Sequence, residues 1–179
     1  MPPNWFIALP AAVALELPPV PQATRLFAPS DLHFTIAFLG TVTEAQARSA
    51  WAALDWPLPA VEVTLGAVVP MGPPRRYSAL SFTLDRGRAE VETAIGKARV
   101  ACCEAAGVPV DARPAVAHLT IARPRRRATD AERAAALAWA ESVRPPRAAL
   151  TLGGVALYTW ADDRKNMLFR IVERVSCRG

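Results

Sequence analysis

Hydrophobic and polar residues alternate most clearly in LHFTIAFLG, residues 32–40. In a β-strand, residues two apart point to the same face, so His33 and Thr35 would lie side by side. The intervening positions are hydrophobic and would form the buried face of the strand: Phe34, Ile36 and Phe38. The pattern predicts a strand with one polar face and one face in the core.

The same pattern recurs in AHLTIAR, residues 117–123, where His118 and Thr120 share one face. The opposite face is again hydrophobic, with Leu119 and Ile121. These two segments, called here the first and second motifs, contain both histidines of the chain. Because imidazoles that titrate near neutral pH cluster at functional sites, we predict one site shared by the two strands. Purely structural histidines are the alternative.

Hydrophobic periodicity and turn residues predict the remaining elements. Further strands are predicted at residues 4–9, 61–69, 77–84, 148–157 and 167–175, and helices at residues 11–17, 43–55, 88–106 and 129–142. Thr43 with Gln46 and Thr129 with Glu132 form capping boxes that begin two of these helices. Gly107 is suited to end a helix in the left-handed conformation.

The chain also contains an internal repeat. TLGAV begins at Thr64 and TLGGV begins at Thr151, 87 residues later. The two histidines are 85 residues apart and the two capping threonines 86. A near-constant offset indicates a duplication, with chance similarity of two segments as the alternative.

We predict an α+β fold of two duplicated lobes whose antiparallel sheets face a central cleft across a pseudo-twofold axis. The repeat units are predicted at about residues 32–84 and 117–175 of a single bilobal domain, 1–179.

The composition is that of a globular protein, with 52% hydrophobic residues. No stretch reaches the ~18 consecutive apolar residues of a membrane span, and the N-terminus lacks the basic and apolar regions of a signal peptide. We therefore expect no membrane association, a cytoplasmic location and a monomer. The three cysteines and two histidines match no zinc-site spacing, so no metal and no cofactor is expected.

All but two of the 21 basic residues are arginines, and the net charge is +5. Arginine binds phosphate through paired hydrogen bonds, although a GC-rich genome also favours arginine. Some arginines lie close to the motifs or in turns: Arg123 ends the second motif, the run Arg125, Arg126 and Arg127 follows it, and Arg75 and Arg76 precede Tyr77. The run and the turn are candidates for RNA contact, with solvated loops as the alternative. Trp160 is a further candidate for substrate contact.

Two imidazoles are suited to catalysis on a phosphodiester, because one accepts a proton from the nucleophile while the other donates one to the leaving oxygen. Unperturbed histidine titrates at about pH 6.5, so both roles are accessible near neutral pH. The hydroxyls of Thr35 and Thr120 would bind phosphate oxygens. Arg123 would supply the positive charge that stabilises them.

HFTIAFLG and HLTIAR together resemble the signature of the two-histidine phosphoesterases. They are most similar to the bacterial and archaeal RNA 2′,3′-cyclic phosphodiesterases, also called 2′-5′ RNA ligases. The opening FIALP and the two-lobed repeat extend the resemblance over nearly the whole chain. It implies metal-free opening of a 2′,3′-cyclic phosphate to a 2′-phosphomonoester, with weak reverse ligation. It also implies that the site is lined by His33, Thr35, His118 and Thr120, with Arg123 beside them.

The chain departs from the family pattern outside the two motifs. Members usually have proline before the second histidine, where this chain has Ala117, and tryptophan after the arginine-rich turn, where it has Tyr77. The last hairpin also differs, reading LYTWADDRKNMLFRIV. A small nucleotide, such as an ADP-ribose cyclic phosphate or a 2′-5′ oligoadenylate, is therefore an alternative substrate to RNA ends. A non-catalytic RNA-binding module is the alternative of another class, but such a module would not need both histidines.

Overall fold

Residues 2–177 form ten β-strands and three α-helices in the computed structural model. The strands are β1 (Trp5–Pro10), β2 (Thr24–Leu26), β3 (His33–Gly40), β4 (Val61–Val63), β5 (Leu65–Pro70), β6 (Leu80–Leu84), β7 (His118–Pro124), β8 (Leu150–Leu152), β9 (Gly154–Trp160) and β10 (Phe169–Ser176). The helices are α1 (Glu44–Ala52), α2 (Arg88–Ala106) and α3 (Asp130–Ser142). The predicted α+β class is confirmed.

The helix termini follow the predicted capping residues. Thr43 begins α1 and Thr129 begins α3, each with both hydrogen bonds of a capping box. α2 ends at Gly107, which has a φ of 69°, a conformation that glycine adopts without steric cost. Local sequence therefore determines where these helices start and stop.

Eight strands form one antiparallel sheet in the order β10-β9-β1-β3-β7-β6-β5, with β2 beside the end of β7. The two halves of this sheet, which are the two lobes, meet where β3 pairs with β7 at Phe34 and Leu119. α2 packs against β3, α1 packs against α2, and α3 packs against β5. None of the helices within residues 2–177 combines the length and apolar composition needed to cross a membrane.

The repeat is visible in the order of the elements and in their pairing. β3-α1-β4-β5 is followed by the equivalent series β7-α3-β8-β9. Equivalent strands pair with each other in antiparallel fashion, β3 with β7 and β4 with β8, as a twofold axis between them requires. β5 lies in the lobe of β7 and β9 in the lobe of β3. Each repeat therefore contributes strands to both lobes.

Two predicted strands are each divided into two. The segment at residues 61–69 forms β4 and β5 with a break at Thr64, and the segment at 148–157 forms β8 and β9 with a break at Gly153. The breaks occur at equivalent places and allow β4 and β8 to leave the main sheet and pair with each other.

Residues 11–17 are not helical, contrary to the sequence prediction. Val13, Leu15 and Leu17 pack against the core at alternate positions, while the residues between them are exposed. The segment lies between Pro10 and Pro18, which leaves too few residues to nucleate an isolated helix. The hydrophobic residues occupy every second position of this segment, which is the pattern of an extended chain.

Candidate active site

The pairing of β3 with β7 brings the two motifs together. Phe34 and Leu119 are partners in this antiparallel pair, and both side chains are 0% exposed. Continuing the register by one residue on either side places each histidine opposite the threonine of the other motif. Since neighbouring side chains alternate between faces, the polar residues all lie on the face away from the core: His33, Thr35, His118 and Thr120.

Each histidine is held by the same backbone contact. His33 Nδ1 lies 2.6 Å from the carbonyl oxygen of Asp31, and His118 Nδ1 lies 2.8 Å from that of Val116. A carbonyl oxygen only accepts hydrogen bonds, so Nδ1 carries the hydrogen in both rings. The Nε2 atom of a neutral ring is then free to accept a proton.

Aromatic rings surround the imidazole of His33. Its ring centroid lies 4.7 Å from Phe6, 5.4 Å from Tyr158 and 5.5 Å from Phe169, the last in an edge-on contact. Burial lowers the pKa of His33 from 6.5 to about 4; the Asp31 carbonyl opposes this shift, whereas the charges of Arg123 and His118 add to it. His33 is therefore neutral at pH 7, and its Nε2 is unprotonated.

This lowered pKa predicts a loss of stability in acid. Between about pH 6.5 and pH 4 the unfolded chain binds a proton at His33 that the folded protein does not, so the free energy of unfolding falls as the pH is lowered. The shift from 6.5 to about 4 corresponds to a loss of at most about 3 to 4 kcal/mol in the free energy of unfolding, which begins below about pH 6.5 and is complete below about pH 4. Denaturant unfolding at pH 7 and pH 4.5 should show a smaller loss in His33→Asn than in the wild type. Equal losses would contradict the lowered pKa.

His33 and Thr35 open into a cleft of about 920 Å³ that is rich in positive charge. Among the described residues, six basic side chains and no acidic ones line this cationic cleft: Arg25, Arg123, Arg125, Arg126, Arg164 and Lys165. Arg25 and Arg123 are direct partners on β2 and β7, and like charges in that position are destabilising. Burial and the charge of Arg164 lower the pKa of Arg123. A bound anion would relieve this repulsion.

Aromatic rings also support two of these guanidinium groups. Arg123 lies over the ring of Phe27, 5.3 Å from its centroid, and Arg164 lies 4.1 Å from the centroid of Trp160. Cation-π contact stabilises the charge and leaves in-plane N–H groups available to a ligand. Arg25 donates a hydrogen bond to the carbonyl oxygen of Arg164, which connects β2 to the last hairpin. Trp160 lines the cleft, as its candidate role requires.

The predicted arginines divide into those in the cleft and those outside it. Arg125 and Arg126 line the cleft, whereas Arg127 does not. Arg75 lines a separate, smaller cavity beside α3, and Arg76 is exposed outside the cleft. The structure therefore does not bring the arginine-rich turn at residues 73–77 to the candidate active site.

Tyr77 cannot stack on a nucleotide in this structure, contrary to the candidate role derived from the sequence. Its side chain is 1% exposed, and its hydroxyl donates to the carbonyl oxygen of Arg133 at 2.9 Å. The Arg133 guanidinium lies over the Tyr77 ring and donates to the Tyr77 carbonyl. Tyr77 anchors the turn to α3.

Phe38 lies on the polar face of β3 and is 60% exposed, so its predicted place in the core is wrong. β1 pairs Ala8 with Thr35 but Ile7 with Ala37, which leaves Ile36 as an extra residue in β3. A bulge of this kind reverses the alternation of side chains beyond it. Phe38 consequently lines the cleft together with His33 and Thr35.

The two motif threonines differ in accessibility. Thr35 lines the cationic cleft, whereas Thr120 is 8% exposed and shares a hydrogen bond of 3.0 Å with the hydroxyl of Ser81. Ser81 is a direct partner of Thr120 in the sheet and is fully buried. Ser81 was not identified from the sequence, because YSALSFTL gives no signal beyond its own alternation.

Asp31 is a second residue that the sequence did not identify. Its carboxylate is buried and accepts hydrogen bonds from the backbone N–H of Leu168, at 2.9 Å to each oxygen, and of Phe169, at 3.0 Å. Its carbonyl oxygen holds His33. Asp31 therefore fixes both the imidazole and the segment that places Phe169 against it.

Asp31→Ala should destabilise the protein by about 2 kcal/mol or more, since it leaves two backbone N–H groups without their charged acceptor. Asp31→Asn should also destabilise, because one carboxylate oxygen becomes a donor that faces the Leu168 N–H. Asp162→Asn is the matched control, because Asp162 is an exposed acidic residue in the β9–β10 hairpin that contains Leu168; it should change stability by less than about 0.5 kcal/mol. Denaturant unfolding measures all three; equal stability of Asp31→Asn and the control would contradict this role.

Donor groups for a metal are not clustered in residues 2–177: no group of three or more His, Cys, Asp or Glu side chains is placed to hold an ion. The cysteines carry free thiols. Burial raises the pKa of Cys102 to about 12, so this thiol stays protonated at neutral pH.

Comparison with known proteins identifies the fold. No family profile and no curated protein matches the chain. E. coli LigT complexed with 3′-AMP matches with a TM-score of 0.68 at 18% identity, over 100% of both chains. A phosphoesterase structure matches with a TM-score of 0.66 at 19% identity, over 100% of both chains. TT0787 of Thermus thermophilus matches with a TM-score of 0.58 at 20% identity, over 98% of both chains.

These matches show that the chain has an α+β fold in common with LigT and with a solved phosphoesterase structure. More particularly, it has the fold of LigT, which is complexed with NADP+ and with ATP in two further structures that match over at least 99% of both chains. The resemblance predicted from the two motifs is thus confirmed at the level of the fold.

Proposed function

We propose that this protein hydrolyses 2′,3′-cyclic phosphates at RNA ends to 2′-phosphomonoesters without a metal. The observation that carries the proposal is the matched pair of histidines. Both belong to the two strands that join the lobes, and both hold Nδ1 on a backbone carbonyl. His33 lines the cleft with six cations, and His118 lines a neighbouring cavity that shares Thr35 with this cleft.

In the proposed reaction, a water oxygen attacks phosphorus and the bond from phosphorus to O3′ breaks. His33 Nε2 accepts the proton of the attacking water, and its lowered pKa keeps this nitrogen unprotonated at neutral pH. His118 Nε2–H donates a proton to the leaving O3′. The product ribose therefore has a 3′-hydroxyl and keeps the phosphate on O2′. If the 5′-hydroxyl of a second RNA replaces water, the same step gives a 2′-5′ linkage, which accounts for weak ligation.

Thr35 and Arg123 stabilise the phosphate oxygens in this proposal, and Thr120 takes part only if its hydroxyl exchanges the hydrogen bond with Ser81 for one to the phosphate. Arg123 is the charged member, and preorganised charges near the developing negative charge contribute strongly to catalysis. The unbalanced guanidinium groups of Arg25 and Arg164 beside it favour an anionic substrate. Arg125 and Arg126, further along the cleft, would bind the phosphates of a polynucleotide.

The test is incubation with an oligonucleotide that ends in a 2′,3′-cyclic phosphate, in EDTA, with products resolved by chromatography. Formation of a 2′-phosphate end is expected. Formation of a 3′-phosphate, or a requirement for added divalent ion, would contradict the mechanism. Tight oligonucleotide binding with no turnover would favour a non-catalytic RNA-binding module.

A small cyclic-phosphate nucleotide is the second candidate substrate. The burial of Tyr77 and the location of Arg75 and Arg76 outside the cleft remove three of the groups expected to contact RNA. LigT itself is complexed with the small nucleotides 3′-AMP, ATP and NADP+. The 2′,3′-cyclic mononucleotide therefore belongs in the same assay as the oligonucleotide.

A further inference from the structure

The peptide group between Val116 and Ala117 is hydrogen-bonded at both ends. Its carbonyl oxygen lies 2.8 Å from His118 Nδ1. Its N–H, which belongs to Ala117, donates to Glu92 Oε1 at 3.0 Å. Because a peptide group is planar and rigid, the carboxylate on one side fixes the carbonyl that holds the imidazole on the other. Glu92 is therefore connected to His118 through a single peptide group.

The surroundings of Glu92 keep this contact in place. Glu92 lies in the second turn of α2, and its neighbours Val91 and Ile95 anchor that helix in the core. The Glu92 side chain is 20% exposed and Ala117 is 1% exposed, so water has little access to the N–H. A buried N–H without a partner is costly. Ala117 precedes the first residue of β7, and Glu92 supplies the acceptor for its N–H.

The equivalent peptide group before His33 has a neutral group behind it. Its carbonyl belongs to Asp31 and lies 2.6 Å from His33 Nδ1. Its N–H belongs to Leu32 and donates to the carbonyl oxygen of Pro29 at 3.4 Å. A charged acceptor makes a stronger hydrogen bond than a neutral one, and hydrogen bonds in a chain polarise one another. The support behind the imidazole of His118 is therefore the stronger of the two.

We infer that Glu92 is a positioning residue for His118. Through the peptide group, its carboxylate holds the hydrogen on Nδ1 and directs Nε2 to the leaving oxygen. Glu92 lines neither the cationic cleft nor the cavity that contains His118, so it acts through His118 and not on the substrate. The inference rests on the proposed function, in which His118 donates the proton. The tautomer that remains after this donation is the one that the contact stabilises.

Steady-state turnover of a 2′,3′-cyclic mononucleotide is the first test. Glu92→Ala should lower kcat by about 10- to 100-fold, the range that follows from misplacing a reacting group by up to about 1 Å. KM should change little, because His118 acts in the chemical step. Glu92→Gln should lose no more than about threefold, since its amide oxygen can still accept from Ala117.

Glu90→Ala and Arg88→Ala are the matched controls. Glu90 is an exposed acidic residue of the same helix, and Arg88 is the exposed salt-bridge partner of Glu92, at 3.0 Å. Each control should keep kcat within about threefold of the wild type, because exposed charges and ion pairs contribute little. A loss in Glu92→Gln or in either control as large as that in Glu92→Ala would overturn the inference.

The imidazole rings report on the contact without any turnover, because the chain contains only two histidines. Nitrogen NMR spectra at alkaline pH, where the rings are neutral, show which nitrogen carries the hydrogen. The wild type and Glu92→Gln should show the Nδ1–H tautomer at His118, whereas Glu92→Ala should show a mixture of tautomers. His33 is the internal reference and should be unchanged. An unchanged His118 spectrum in Glu92→Ala would overturn the positioning role.

Ala117→Pro provides an independent test, because proline has no N–H to donate. In this background Glu92→Ala should change neither kcat nor the His118 spectrum any further, and a further change would contradict the connection through the peptide group. This pair of variants also decides the matter if Glu92→Ala alone does not fold. If the wild type opens no 2′,3′-cyclic phosphate, the proposed function fails, and the spectra still decide whether Glu92 holds His118.

Discussion

His33→Asn and His118→Asn are each expected to lower the turnover of a 2′,3′-cyclic phosphate by about 10²-fold or more. One histidine accepts a proton and the other donates one in the same step. Removing either Nε2 therefore leaves one of the two proton transfers without its catalytic group. Asparagine is chosen because its side-chain N–H can still donate to the carbonyl of Asp31 or Val116. The substitution therefore removes the proton-transfer group and keeps the backbone contact.

The double variant provides a sharper test of shared function. If the histidines act as one unit, the double substitution should cost little more than either single substitution, since effects within a catalytic unit are strongly non-additive. Melting temperatures at pH 7 should stay close to that of the wild type, which separates loss of chemistry from loss of folding. Near-normal turnover in either single variant would contradict the proposed acid and base pair.

The part of the site that lies on regular strands could be predicted from the sequence. Alternation places His33 with Thr35 and His118 with Thr120, and the constant offset between the motifs indicates a duplication. The structure pairs the two strands at Phe34 and Leu119. The sequence does not reveal which strands are neighbours in the sheet, because β1 pairs both with β3, which follows it closely in the chain, and with β9, which is far away in the sequence.

Phe38 and Tyr77 show why the rest could not be predicted. The bulge at Ile36 moves Phe38 to the polar face, and a bulge depends on the register with the partner strand, which alternation alone does not reveal. Tyr77 resembles a stacking residue because it follows two arginines, yet a long-range bond to Arg133 buries it. In both cases tertiary contact overrides the local pattern.

Asp31 shows a different limit. A carboxylate two residues before a histidine indicates a solvated loop as readily as a structural contact. Its role depends on backbone N–H groups that lie more than 130 residues away in sequence. Such a pairing follows from the exchange of strands between the repeats, which places β9 and β10 in the same half of the sheet as the first motif.

Replacing Arg125 and Arg126 together with alanine is expected to weaken the binding of a single-stranded oligonucleotide and to flatten its salt dependence. Each phosphate contact contributes about 0.7 to the slope of log K against log salt concentration for single strands, so the loss of two contacts should lower the slope by about 1.4. Affinities at several salt concentrations between about 50 and 200 mM measure this slope.

Replacing Arg75 and Arg76 with alanine is the matched control, since it removes the same charge from exposed positions outside the cleft. This variant should keep the wild-type slope if contacts in the cleft, and not net charge, determine the affinity. The 2′,3′-cyclic mononucleotide should show a shallower slope than the oligonucleotide, because it has a single phosphate near Arg123. The contradicting result is an equal slope for both substrates that neither double variant changes. In that case the arginines of the cleft do not bind the phosphates of a polynucleotide. A small nucleotide would then be favoured over RNA ends as the substrate.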